Sequence, residues 1–192
     1  MACQSLYLHI PFCVQKCPYC DFYSLPAQED LMDRYVEKLL AALERLPFPM
    51  EPLETIYFGG GTPSALGAKR LNRILEAIHR HISWKPQAEI TVECNPALAM
   101  EGELRQLREG GANRISMGMQ SVSDQQLRVL GRRHTARMTE EGVEAAQRAG
   151  FQRISLDLML ATPGQTLEDI HRAVDTCVCL GVGHISAYLL KI

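Results

Sequence analysis

The sequence lacks most of the features that mark a nucleic-acid or membrane binder. Its formal charge is only −2 over 192 residues, so no broad basic field exists to draw in phosphate backbones or anionic lipid. No apolar run is long enough to span a bilayer, and the amino-terminal Met-Ala-Cys-Gln-Ser-Leu-Tyr has neither the basic nor the long apolar segment of a secretory signal. Neither Gly-x-Gly-x-x-Gly nor a phosphate loop ending in Gly-Lys-Ser/Thr occurs, which removes the usual nucleotide-phosphate readings. Low-complexity tracts and interior linkers are missing too. These absences leave a cytoplasmic protein without membrane insertion or a nucleic-acid partner. Its hydrophobic content of 46% suffices for one sizeable core, so a single domain over residues 1–192 is expected.

Cysteine, by contrast, is plentiful: there are seven, an odd number, and three lie within eight residues. That crowding suits thiolate metal ligation in a reducing compartment better than a secreted disulfide framework. Cys13-x3-Cys17-x2-Cys20 follows the first predicted strand, in a loop with Pro11 and Pro18, where a short chain can wrap its sulfurs around one compact centre. Thiolates bind iron strongly, and a four-iron cubane held by three of them keeps one iron open for a small ligand. The competing readings are a zinc site or three ordinary buried cysteines. Zinc normally takes a second Cys-x2-Cys-like knuckle or added histidines, and no second knuckle is present.

Strand-type runs alternate with stretches of helical period. Residues 6–10, 55–58, 89–93, 114–118, 153–158 and 184–190 are predicted strands. Leu31, Tyr35, Leu39, Leu43 and Leu46 recur at helical spacing after the first, and Leu71, Ile74, Leu75, Ile78 and Ile82 after the second. Gly110-Gly111 and Gly150 read as helix stops, while Ser123-x-x-Gln126 and Thr166-x-x-Asp169 read as capping boxes. Repeated βα units mean an α/β protein with a parallel sheet, and their spacing of about thirty residues or more favours a partial or complete barrel over a doubly wound sheet. In either fold, function gathers at the carboxyl ends of the strands. The chain stops at or after its sixth strand without a following helix, as a fragment of a longer protein would.

Several polar residues fall at that rim. Gly59-Gly60-Gly61-Thr62-Pro63 follows the second strand and lets backbone approach a ligand closely, although a tight strand-to-helix turn explains it as well. Glu93 ends the third strand after apolar Ile90-Thr91-Val92. Gln120 just beyond the fourth strand, Arg132 in the helix-loop region that follows and Asp157 within the fifth strand are further polar groups at or near that rim. Taken singly, each of these three reads more simply as a surface or structural residue. Cys177 and Cys179 stand two apart on a predicted helix, so they face different ways and read as packing residues.

The cysteine motif with Tyr19 before its last cysteine resembles the signature of radical SAM proteins. Ile10-Pro11-Phe12-Cys13, Gly59 to Ser64, Gln120-Ser121 and Pro163-Gly164-Gln165-Thr166 narrow the resemblance to the branch holding HemW heme chaperones and oxygen-independent coproporphyrinogen III oxidase. The resemblance implies a partial (β/α)6 radical SAM barrel whose accessory carboxyl-terminal region is absent. It also implies a [4Fe-4S] cluster on Cys13, Cys17 and Cys20, with S-adenosylmethionine chelating the open iron and being cleaved reductively to methionine and a 5'-deoxyadenosyl radical. Carried over residue by residue, it assigns Tyr7, Gly60 and Glu93 to that S-adenosylmethionine, with Glu93 on the ribose. Tyr19, Gly61, Thr62, Gln120, Arg132 and Asp157 match positions that contact a second S-adenosylmethionine in the oxidase.

Within the branch, the oxidase has a further cysteine two residues after the third ligand, where this chain has Phe22, and a substantial amino-terminal extension that is not present here. Both departures favour a chaperone that binds heme and passes it to an acceptor protein, with a reductant such as flavodoxin or ferredoxin. The alternative is the oxidase, which decarboxylates a porphyrinogen anaerobically. Leu160-Ala161-Thr162-Pro163 and Cys94 also depart from the branch's usual residues. If the cysteine reading holds, anaerobic reconstitution with iron and sulfide gives a cubane electron paramagnetic resonance signal that S-adenosylmethionine alters. Replacing Cys13, Cys17 and Cys20 together by Ala removes that signal.

Overall fold

The computed structural model describes residues 3–46 and 50–191. Six strands form one sheet in chain order: β1 (Cys3–Ile10), β2 (Met50–Gly60), β3 (Trp84–Cys94), β4 (Arg114–Gln120), β5 (Arg153–Leu160) and β6 (His184–Leu189). Every neighbouring pair is parallel. A parallel neighbour is reached only by a crossover, and helices supply it. These are α1 (Glu29–Leu43), α2 (Ala68–His81), α3 (Glu101–Glu109), α4 (Asp124–Val129), α5 (Ala136–Arg148) and α6 (Leu167–Cys179). The result is the half-barrel expected from the sequence.

The register explains how this sheet divides oil from water. Phe58, Val92, Ile115 and Ile154 stand side by side across β2 to β5, all buried. They share one core with Leu71, Ile74, Leu75 and Ile78 of α2 and Leu104 and Leu107 of α3. The next row along the strands, Glu93, Ser116 and Ser155, points to the other face. There the Ser155 hydroxyl donates to Ser116 Oγ at 2.9 Å, and Arg114 donates to Ser155 Oγ at 3.0 Å and to Thr91 Oγ1 at 3.3 Å. One face is therefore apolar beneath the helices, and the other is a polar floor.

All six predicted strands are present, but β2 and β3 begin further back, across Pro52 and Pro86. Proline and charge erased the strand pattern there, yet Leu53 pairs with Trp84 across a register shift. Thr166 makes the expected capping box: Asp169 N–H donates to Thr166 Oγ1 at 3.2 Å, and the Asp169 carboxylate accepts from Thr166 N–H at 2.9 Å. The Ser123 box is only half formed. Ser123 Oγ accepts from Gln126 N–H at 3.4 Å, but the buried Gln126 amide turns inward, accepting from Ser121 Oγ at 2.6 Å and donating to Asp169 at 3.0 Å. Cys177 is fully buried, as a packing residue should be, whereas Cys179 is exposed, because two helical positions carry it round to the solvent side. Among the described residues no helix is long and apolar enough to cross a membrane.

Ile78 is completely buried between α2 and the sheet. Ile78→Ala should lower the unfolding free energy by about 2–5 kcal/mol through lost burial and the cavity left behind. Thr166→Ala should cost about 1 kcal/mol, the worth of a helix cap. Urea denaturation of both variants checks the ranking.

Candidate cofactor site

The cysteine loop is fastened at both ends by backbone. Phe12–Cys13 and Leu25–Pro26 form a short parallel ladder, with Leu25 N–H on Pro11 O at 2.6 Å and Ala27 N–H on Cys13 O at 3.0 Å. The glycine loop after β2 then locks against it: Gly61 N–H donates to Ile10 O at 2.9 Å and Thr62 N–H to Phe12 O at 2.7 Å. A Cβ on Gly61 would lie 2.7 Å from Phe12 O, so glycine is required here for the loops to touch. Gly59 answers a different need, since a Cβ there would meet Tyr57 at 2.8 Å, Tyr7 at 3.0 Å and Glu93 Oε1 at 3.1 Å. The sequence leaves two explanations for these glycines, close approach by a ligand and a tight strand-to-helix turn. Gly60 has a left-handed backbone, φ 111°, and a Cβ there would lie 2.5 Å from His9 Nδ1, so protein packing explains all three.

Against these loops lies a cleft of about 360 Å³ at the carboxyl ends of the strands. Of the candidate residues, Tyr19, Cys20, Gly60, Gly61, Thr62 and Glu93 line it, and so do Gln120, Arg132 and Asp157. Four strands and three loops thus converge on one space. Tyr7, Cys13 and Cys17 do not form its wall. Tyr7 is 58% exposed and stacks on Tyr57 with ring centroids 6.0 Å apart. Cys13 and Cys17 sit behind lining residues, Cys13 Sγ 3.4 Å from Thr62 Oγ1 and Cys17 Sγ 3.6 Å from Arg132 Nη1.

The donor chemistry fits an iron-sulfur cluster. A thiolate can only accept hydrogen bonds, and the Thr62 hydroxyl and Arg132 guanidinium stand ready to donate to two of the three sulfurs. All three cysteines are free and partly accessible. Among the described residues, no three His, Cys, Asp or Glu side chains converge on a point that would hold one metal ion. A cubane asks for a wider arrangement, because each thiolate takes its own iron.

The cleft carries opposing charges. Burial pushes the Glu93 carboxyl above the usual carboxylate range, and nearby Asp157 pushes the same way. The Tyr57 hydroxyl, donating to Glu93 Oε1 at 2.8 Å, and the Gly60 N–H pull it back. Asp157 is also raised, chiefly by burial, with Ser186, Arg114 and Arg132 offsetting it. Burial lifts the Tyr19 hydroxyl to about 12, so it stays a neutral donor. Gln120 adopts a left-handed backbone, φ 64°, at the end of β4, and its buried Oε1 has no hydrogen-bond partner. A strained residue carrying an unpaired acceptor marks a site built for an additional donor.

Sequence reasoning missed Tyr57, Ser116 and Met159, and the strip at residues 188–191 that closes one side. Tyr57 had a readable signal: it lies two before Gly59, so alternation puts both on the face that Glu93 reaches. The strip at 188–191 had none, because its apolar residues look like core.

These features define a half-barrel that gathers a cysteine loop, a glycine loop and acidic strand ends around one cleft. The profile of the Radical SAM superfamily matches residues 7–177, and the chain belongs to that superfamily. The family implies a [4Fe-4S] cluster and S-adenosylmethionine. More particularly, the chain is 39% identical over 186 residues to "Heme chaperone HemW" of Lactococcus lactis, covering 97% of this chain and 48% of that protein. It is 37% identical to the HemW of Escherichia coli, over 98% of this chain and 50% of the relative. The chain thus spans about half the length of the curated relatives it matches. Among solved structures, the coproporphyrinogen III oxidase HemN of Escherichia coli, described as a radical SAM enzyme, superposes with a TM-score of 0.88 at 27% identity, over 97% of this chain and 44% of that one.

A raised carboxyl favours folding while it is protonated, below the unfolded-state value, and this contribution is lost as pH rises through the folded value. Glu93→Gln keeps an acceptor for Tyr57 but has no charge to bury. It should therefore melt higher than wild type at pH 7, and the gap should close below about pH 4, where both carboxyl states are protonated. Calorimetry across that range, with a gap that fails to close, would refute the assignment.

Proposed function

We propose that residues 1–192 are the cluster- and S-adenosylmethionine-binding core of a heme chaperone, which binds heme and passes it to an acceptor protein. The observation that carries the choice within the family is Phe22. It is 67% exposed and lines the cleft at the position where the oxidase this motif resembles has a further cysteine. The names and identities of the HemW relatives support the same reading.

On this proposal Cys13, Cys17 and Cys20 hold the cluster, and Thr62 and Arg132 donate to two of their sulfurs. The cluster supplies an open iron for the amino and carboxylate groups of S-adenosylmethionine and an electron for its sulfonium. Glu93, held by Tyr57 and by the Gly60 N–H, accepts from ribose hydroxyls, and Gly60 lines the cleft beside it. Tyr7 supports this corner from behind by stacking on Tyr57. Tyr19, Gly61, Thr62, Gln120, Arg132 and Asp157 are the wall on which a second S-adenosylmethionine would lie. Heme, the acceptor protein and a flavodoxin- or ferredoxin-like reductant belong to the longer protein, acting in the cytoplasm.

The likeness to HemN keeps the oxidase as the second reading. Two assays on the longer protein separate them. A chaperone takes up about one heme per chain, seen as a saturating Soret band, and releases no carbon dioxide from coproporphyrinogen III under anaerobic, reducing conditions with S-adenosylmethionine. Decarboxylation to protoporphyrinogen without stoichiometric heme binding would reverse the assignment.

A further inference from the structure

The segment 130–135 between α4 and α5 carries Arg132 into the gap between the cysteine loop and the end of β4. Its guanidinium has three protein contacts. Nη1 reaches Cys17 Sγ at 3.6 Å, Nη2 donates to Gly118 O at 2.8 Å, and Nε donates to Nδ1 of His134 at 3.3 Å. A guanidinium N–H only donates, so His134 Nδ1 is an unprotonated acceptor. His134 Nε2 lies 3.1 Å from the Met119 carbonyl, which only accepts, so Nε2 carries the proton. One neutral tautomer satisfies both contacts. The ring is 3% exposed, and burial together with the Arg132 charge lowers its pKa to about 4, which keeps it neutral at neutral pH, while the two hydrogen bonds select the tautomer.

This arrangement fixes more than one bond. Nε and both Nη atoms of a guanidinium are coplanar, so an acceptor at Nε orients the fork and the Gly118 carbonyl holds one of its tines. The remaining tine is then directed at Cys17. Gly118 makes the space: a Cβ there would fall 2.9 Å from Arg132 Nη2 and 2.8 Å from Gln120 Nε2. The two carbonyls used, Gly118 and Met119, immediately precede Gln120, so the same pair of side chains also anchors the left-handed turn that ends β4.

We propose that His134 is a positioning residue, which holds the Arg132 guanidinium between Cys17 and the cleft by accepting from its Nε and tethering itself to the Met119 carbonyl. What this positioning serves rests on the reading of the cysteine loop as a cluster site. The holding itself does not.

The test uses the whole chain with His134→Leu, which removes both ring nitrogens, and His134→Gln, whose amide offers one acceptor and one donor. In wild type without a cluster, nitrogen NMR should show His134 as the Nε2-protonated tautomer and the Arg132 Nε–H protected from solvent exchange. Protection should vanish in His134→Leu and persist in His134→Gln. An Nδ1-protonated His134, or protection unchanged in His134→Leu, would overturn the proposal, and the wild-type tautomer decides even if the Leu variant does not fold. After anaerobic reconstitution, equilibrium dialysis should show S-adenosylmethionine binding weakened about tenfold in His134→Leu, the scale of outer-shell losses, and near wild type in His134→Gln. Equal binding by wild type and His134→Leu would remove the role at the cleft. Wild type that takes up neither cluster nor S-adenosylmethionine would sink the functional reading, and the NMR measurements would still decide the part played by His134.

Discussion

Two backbone hydrogen bonds, Gly61 N–H to Ile10 O and Thr62 N–H to Phe12 O, join the glycine loop to the cysteine loop, and the site depends on them. A loop bearing three thiols is of little chemical use if its ends drift. Here the short ladder between 12–13 and 25–26 closes the loop on itself, and the glycine loop then ties it to the second strand. The union works only because Gly61 has no Cβ, which would fall against the Phe12 backbone. Thr62, set by the same contact, reaches Cys13, and its neighbours form one wall of the cleft.

Around that anchor, the parallel sheet solves an electrostatic problem. Glu93 and Asp157 are both poorly solvated acids on the cleft-facing side; burial raises the proton affinity of each, and Asp157 pushes that of Glu93 up further. The structure offsets this with donors and cations placed at neighbouring registers: Tyr57 and Gly60 for Glu93, and Ser186, Arg114 and Arg132 for Asp157. Arg132 serves two sides at once, since it also faces Cys17. The unpaired Gln120 acceptor lines the same cleft.

Much of this was legible in the residues. Period-two apolar runs separated by period-3.6 stretches mark βα units wherever one face of each element is buried; β6 was legible from its apolar and β-branched residues although they are half-buried or exposed in the structure. The starts of β2 and β3 did not show, because pairing across a register shift overrides the breaker signal of Pro52 and Pro86. The Ser123 box failed for a tertiary reason: Gln126 found Ser121 and Asp169, which no local pattern displays. Likewise Cys179 differs from Cys177 only in the direction its helix turns it.

The sequence by itself determined the chemical alphabet of this protein, namely three cysteines at cluster spacing on one short loop, glycines after the second strand and acids at strand ends. These features are local, and local spacing governs which atoms a single loop or strand end can offer. Only the tertiary structure decided who meets whom. Arg132 lies 115 positions from Cys17 and Tyr57 lies 36 from Glu93, and both meetings are created by parallel strand register and crossover geometry. Such contacts depend on where the chain is carried between them, so they exist only once the sheet has closed around its core.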